Sequence, residues 1–321
     1  MLKLLLFFIT FTSYLHCFDK VVIWGHKLHS HTHSYIHHAF YRAFQHMGYQ
    51  AYWFDNNDDI SNIDMSNALF ITEGQVDNGI PLRQDARYIL HNCNPTKYQP
   101  FFKAGHCILL QVYTDDVLTR PVTKVDDFIY YDLADRCIYM PWATDLLPHE
   151  IDVIKKEIPH IRRSKNVWWV GTIGGGEFGN INQLEPFQKA CAENKKRFRS
   201  AMHKSVEDTI KDIQHSYMAP AIVGTWQQKV GYIPCRIFKN ISYGQMGVTN
   251  SRHVYELFKK KIVYNSDTHQ LFYDAKKRIE TMSQAELFEL MDFVRDKHTY
   301  VNRIETLISF LNLVETTYAQ H

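Results

Sequence analysis

Short apolar runs that alternate with stretches of helical spacing constrain this chain more than any other feature of its sequence. The run KVVIWGH (20–26) is a four-residue apolar burst closed by Gly25. A parallel strand covered on both faces needs such a continuous run, because neither face can be polar. Ile36, Ala39, Phe40, Ala43, Phe44 and Met47 then recur at helical spacing, and Gly48 supplies a stop. The same pattern predicts strands at 49–55, 67–74, 86–93 and 106–114, and short ones in DDFIYYD and RCIYMPW. Strand and helix repeated in this way imply a parallel sheet with right-handed crossovers.

Three Pro and a surge of charge in MPWATDLLPHEIDVIKKEIPHIRRSKN (140–166) mark a linker. Beyond it a strand opens in NVWWVGTIGGGEFGN (166–180), with helices expected around 182–203 and 205–214. YMAPAIVGT (217–225) reads as a strand, PCRIFKNISYG as a short helix started by Pro234 and stopped by Gly244, and KKIVYN (260–265) as a strand. Residues 268–321 read as helix, with Leu287, Leu290, Met291 and Val294 on one buried face and Ile304, Leu307, Ile308, Leu311 and Leu313 on another. At 321 residues the chain accommodates two domains. The expected fold class is α/β, with two Rossmann-like domains facing a cleft. The first spans 18–150 and the second 151–300, and a C-terminal helix (301–321) packs back on the first. A ligand belongs at the carboxyl ends of the strands, in the cleft.

Residues 1–17 carry one Lys and an apolar run through Leu15 before a polar flank. That is the shape of a secretory signal or membrane anchor, although Leu15-His16-Cys17 makes a poor cleavage site and the run is short for a span. The alternative is an apolar extension of a cytoplasmic protein. Thirty-six Lys and Arg against 34 Asp and Glu leave a net charge of +2, from which no nucleic-acid partner is expected. The six Cys lie far apart with no CxxC, which argues against a zinc ribbon or a disulfide scaffold and for mostly buried thiols.

Three stretches carry chemistry. HKLHSHTHSYIHH (26–38) follows the first strand directly. His26 and His33 are candidates there for a general base, because an imidazole titrates near neutral pH. His33 or Ser34 also suits a helix start. The spacing is not HExxH and no carboxylate lies nearby in sequence, so no metal is expected. The second stretch, VGTIGGG (170–176), suits backbone contact with an anion or a plain tight turn. It lacks both GK[ST] and GxGxxG, which argues against a triphosphate P-loop and a redox dinucleotide site. In the third, Arg236 and Lys239 stand three apart on one helix, and like charges so placed favour an anion between them. Thr249-Asn250-Ser251 then offers hydroxyl and amide groups at the next helix start, or a plain cap.

In motif order, residues 139–275 resemble group 1 glycosyltransferases of the GT-B fold, in particular the spore-maturation-protein-like branch. The resemblance is carried by YMPWATD (139–145), Val170-Gly171-Thr172, Arg236-Ile237-Phe238-Lys239 through Gly244, Val248-Thr249-Asn250-Ser251, and IVYNSD ending at Asp267. It implies metal-independent transfer of a sugar from a nucleotide diphosphate sugar to a hydroxyl of a glycan or glycoconjugate, with no further cofactor. Gly171, Thr172, Arg236 and Lys239 would serve the diphosphate, and Asn250 or Ser251 would add a hydrogen bond. A His of the 26–38 loop, His33 or His26, or else Glu73 or Asp55 at neighbouring strand ends, would serve the acceptor. The family often carries two acids with seven residues between them, where this chain has Gly231 and Lys239. A binding protein without catalysis on the same fold, and a metal hydrolase built on the His-rich loop, are the alternatives.

Overall fold

The structure, a computed structural model, describes residues 18–28, 33–74, 76–113 and 120–318. The apolar leader at 1–17 and His29 and His31 of the His-rich loop lie outside these residues. No helix among the described residues is long and apolar enough to cross a membrane.

The first half is built from β1 (Lys20–Trp24), α1 (Ser34–His46), β2 (Gln50–Phe54), β3 (Ala68–Glu73), β4 (Arg87–His91), α2 (Gln99–Lys103), β5 (Cys107–Gln111), β6 (Thr123–Asp126), β7 (Ile129–Asp132) and β8 (Cys137–Tyr139). These strands form one sheet in the order β2-β1-β3-β4-β5-β8-β7-β6. It is parallel from β2 to β8, with β7 and β6 added antiparallel at the edge. Alternation along β1 explains the continuous apolar run. Val21 and Ile23 face a core shared with α1, while Val22 and Trp24 face a second core containing Tyr98, Phe101 and Phe102. Burying each such side chain contributes about 1.5–3 kcal/mol, so a sheet covered on both faces needs apolar residues on both.

The chain crosses through 140–147 into α3 (Pro148–Glu157) and the second half. There follow β9 (Asn166–Val170), α4 (Ile181–Glu193), β10 (Arg197–Ala201), α5 (Val206–Gln214), α6 (Thr225–Lys229), α7 (Cys235–Ser242), β11 (Val248–Thr249), α8 (Arg252–Leu257), β12 (Val263–Tyr264), α9 (Thr268–Thr281), α10 (Gln284–Lys297) and α11 (Tyr300–Tyr318). β10 pairs parallel with β9, and β11 with β12. Parallel bridges Val167↔Met218 and Ala221↔Thr249 join the two pairs into one parallel layer. Pro234 caps α7, and Gly244, at φ +90°, follows its end.

Two differences from the sequence pattern stand out. The expected helix at 182–203 stops at Glu193, and residues 197–201 form the edge strand β10. The continuous helix expected after 268 is three helices, broken by the Ser283 cap and by the turn at His298. α11 packs against α1 and the first sheet through Ile304, Leu307 and Leu311. The outgoing and returning crossings therefore lie side by side, bridged at Thr144↔Thr299. Arg303, fully buried, holds both crossings. It donates to Pro141 O at 2.8 Å, Lys297 O at 3.1 Å and His298 Nδ1 at 2.8 Å. Burial lowers its pKa to about 10.

Candidate functional site

A cavity of about 310 Å³ lies where the carboxyl ends of the two sheets face each other. One wall is His33, Tyr35 and Ile36 at the start of α1, and the crossing contributes Trp142 and Asp145 to the floor. The opposite wall comes from the end of β9, the loop after β10 and the start of α7. Tyr35 Oη donates to Lys204 O across the cleft at 3.4 Å, and the Tyr113 and Trp226 rings meet across it at 5.2 Å.

On the second-domain wall the β9–β10 ladder continues one residue past the end of β9, with Gly171 N–H donating to Ala201 O at 2.9 Å. The Trp169 indole donates to Gly171 O at 3.1 Å, and the Arg236 guanidinium lies 3.7 Å from the Trp169 ring centre. Arg236 Nε donates to Val170 O at 3.1 Å, Nη2 lies beside Gly171, and the side chain borders the cavity. Among the described residues no carboxylate pairs with Arg236. Burial lowers its pKa, yet an arginine stays protonated, so the cavity contains an uncompensated cation. Thr172 lines the same wall.

Gly171 has φ +130°, a conformation that costs an L residue about 1–3 kcal/mol. A Cβ there would also stand 2.3 Å from Arg236 Nη2, which the Trp169 stack and the Val170 bond pin in place. Gly171→Ala is therefore expected to lower unfolding stability by about 1–3 kcal/mol, read from urea denaturation.

On the facing wall the strand order reverses between β1 and β3, the crevice in which open α/β sheets take ligands. His26 follows β1 and Glu73 ends β3, and both are buried. His26 Nε2 donates to Glu73 Oε2 at 2.8 Å. Burial alone would raise the Glu73 pKa. The His26 hydrogen bond and the fields of His33, His26 and His91 outweigh it and hold the carboxyl at about 2. The His33 ring stacks 6.0 Å from His26 and carries the cluster to the cavity surface. His37, by contrast, is a core imidazole that bonds Gly25 O at 2.8 Å, with its pKa pushed down to about 3 by burial. The carboxylate missing from the sequence near the histidines is thus supplied from β3, 47 residues away.

Other expected residues lie elsewhere. Lys239 borders the cavity, but its Nζ sits 2.7 Å from Asp145 Oδ2, so its charge is met by the crossing. Asn250 is buried, accepting from Val223 N at 2.9 Å and donating to Val223 O at 3.0 Å, and so shapes the loop behind the cavity. Ser251 caps α8 through Val254 N and does not reach the cavity. Asp55 accepts from Asn57 N in a turn and does not line the cavity. Asp145 was missed as a site residue, although YMPWATD marks its segment as the interdomain passage.

No family model and no curated protein sequence matches this chain. Its structure is similar to that of an α-glucosyltransferase in complex with UDP and a 13-mer DNA containing an A:G mismatch. The TM-score is 0.60 at 7% identity, over 91% of this chain and 99% of that one. The fold is GT-B. AviGT4, a glycosyltransferase involved in avilamycin A biosynthesis, is also similar, with a TM-score of 0.52 at 8% identity over 92% of this chain and 98% of the other. The GT-B match covers both halves and the crossing together, so the two Rossmann-like domains expected from the sequence are present. At this identity the likeness shows the GT-B fold and not membership of the spore-maturation branch.

One expectation is corrected. Near-neutral charge argued against nucleic acid, but a GT-B α-glucosyltransferase sits on DNA in its solved complex, so that exclusion falls. Net charge averages over the whole surface, while binding depends on local charge. Locally, β10 exposes Arg197 and Arg199 on the surface of the second domain.

Proposed function

We propose that this chain transfers a sugar from a nucleotide diphosphate sugar to a hydroxyl acceptor. One observation carries the proposal: Arg236, fixed by Trp169 and Val170, directs an uncompensated cation into the cavity between two GT-B domains. Cleaving a sugar–diphosphate bond builds negative charge on the leaving group, and a preoriented cation in a water-poor site stabilises that charge. Thr172 brings a hydroxyl to the same place, next to the N-terminus of α7, and Gly171, whose N–H and C=O are already bonded, adds no side chain there. Opposite them, His33, with His26 and Glu73 behind it, faces the incoming hydroxyl. Lys239 contributes through Asp145 to the shape of the site.

The acceptor is a glycan, glycoconjugate or nucleic-acid hydroxyl. Placement beside the spore-maturation-protein-like branch rests on motif order alone. The test is incubation with UDP-, GDP-, ADP- and dTDP-sugars, each with an oligosaccharide or an oligonucleotide, scored for free nucleoside diphosphate and glycosylated product. One donor is expected to yield both. Binding of a nucleotide with no diphosphate released from any donor would instead favour a binding protein without catalysis.

A further inference from the structure

The geometry points to a binding site for one divalent transition-metal cation formed by His26, His33 and Glu73, at the switch point of the first sheet. Two imidazoles and a carboxylate form the mixed N/O donor set that Zn2+, Co2+ and Fe2+ accept. Three separate segments supply them: the residue after the β1 turn, the start of α1 and the end of β3. Their ligand atoms all lie within 4.8 Å of one another.

Metal–ligand bonds of about 2.0–2.1 Å place neighbouring ligands about 3.0–3.4 Å apart and opposite ones about 4.2 Å apart. The 2.8 Å His26–Glu73 contact is thus close to the spacing of two adjacent ligands, and the His33 ligand atom, within 4.8 Å of both, closes the set by moving inward. The backbone beneath the site is preset, since β1 and β3 pair in register through Trp24↔Thr72. The charge also suits a cation. Among the described residues Glu73 forms no ion pair with Lys or Arg, and its ionic partner is His26.

Three protein ligands leave coordination positions open, the pattern of a reactive centre more than of a structural one. Because His33 borders the cavity, those positions face the cleft. An ion there polarises an oxygen on the acceptor side. That use rests on the transferase proposal, whereas the binding does not.

The test uses the untagged full chain, stripped with chelator and titrated with Co2+ by visible absorption and with Zn2+ by calorimetry. Wild-type protein is expected to take up one ion per chain. Glu73→Gln and His33→Ala are each expected to weaken binding at least about tenfold, because each removes one of only three ligands. A His29→Ala/His31→Ala double variant is expected to keep the ion. Circular dichroism of the metal-free variants reports folding. Should Glu73→Gln not fold, Glu73→Asp is read in its place, with weaker binding and a shifted Co2+ spectrum expected. Absence of stoichiometric binding by the wild type, unchanged affinity in the Glu73 variant, or loss only in the His29/His31 variant each overturns the inference. UDP affinity measured on the same samples separates the two proposals, since it depends on Arg236 and not on Glu73.

Discussion

Arg236→Ala is expected to weaken nucleoside diphosphate binding about a hundredfold while leaving the chain folded. Each hydrogen bond from a charged donor contributes about 1.5–3 kcal/mol when its partner is charged and desolvated. Two such bonds from the guanidinium to a diphosphate together account for about 3 kcal/mol, or two decades in Kd. The cost to stability is smaller for a specific reason. Without ligand the guanidinium is desolvated yet unpaired by any carboxylate, so its removal relieves part of what it destabilises. What is lost is its stack on Trp169, about 1 kcal/mol, and its bond to Val170 O. Arg236→Lys keeps the charge but not the planar stack or the Nε–H bond, so an intermediate affinity is expected. Calorimetric titration with UDP and GDP, beside urea unfolding, checks both parts. Unchanged nucleotide affinity in the Ala variant would remove the centre of the proposed function.

The sequence shows its long-period features and conceals its contacts. β1 and α1 are legible because burial on two faces and on one face leave different apolar periods in the chain. The α7 boundaries are legible because Pro234 and Gly244 have backbone constraints of their own. β10 is not. As an edge strand it pairs only with β9, and exposed Arg197 and Arg199 give KKRFRSA the polar look of a helix surface. The site is legible in part for the same reason. Arg236 stands out within its helix, and Gly171 ends an apolar strand. The partnership of His26 with Glu73 has no sequence signal, since it comes from two strands that become neighbours only when the sheet forms. Lys239 was misleading in a different way. Two cations three residues apart suggest a shared anion when only one helix is considered, and the acid that answers one of them comes from the interdomain crossing.

Asp145→Asn tests that last point and is expected to destabilise the fold by about 3–5 kcal/mol, because it leaves the Lys239 charge without its counter-ion in a nearly enclosed position. Asp145 accepts from Lys239 at 2.7 Å and from the Tyr243 hydroxyl at 2.5 Å, so its carboxylate joins the crossing to α7 at two points. Asn retains an acceptor for Tyr243 but replaces Oδ2 with an NH2 donor facing the Lys239 ammonium. Burial lowers the Lys239 pKa, but the nearby Asp145 carboxylate more than offsets this and the net shift is upward. A lysine raised in this way stabilises the fold throughout the range below its ordinary pKa of about 10.5, and the contribution disappears as pH rises through the folded value. The loss in Asp145→Asn is therefore expected in full at pH 7 and to shrink in strongly alkaline buffer. Adding Lys239→Met to Asp145→Asn removes the stranded charge and is expected to recover most of the stability, a non-additivity that urea unfolding of the four-member cycle measures. The same double variant decides what Lys239 does. If its charge serves only the crossing, the double variant binds nucleoside diphosphate as tightly as the wild type. A loss comparable to that of Arg236→Ala would assign Lys239 to the diphosphate as well.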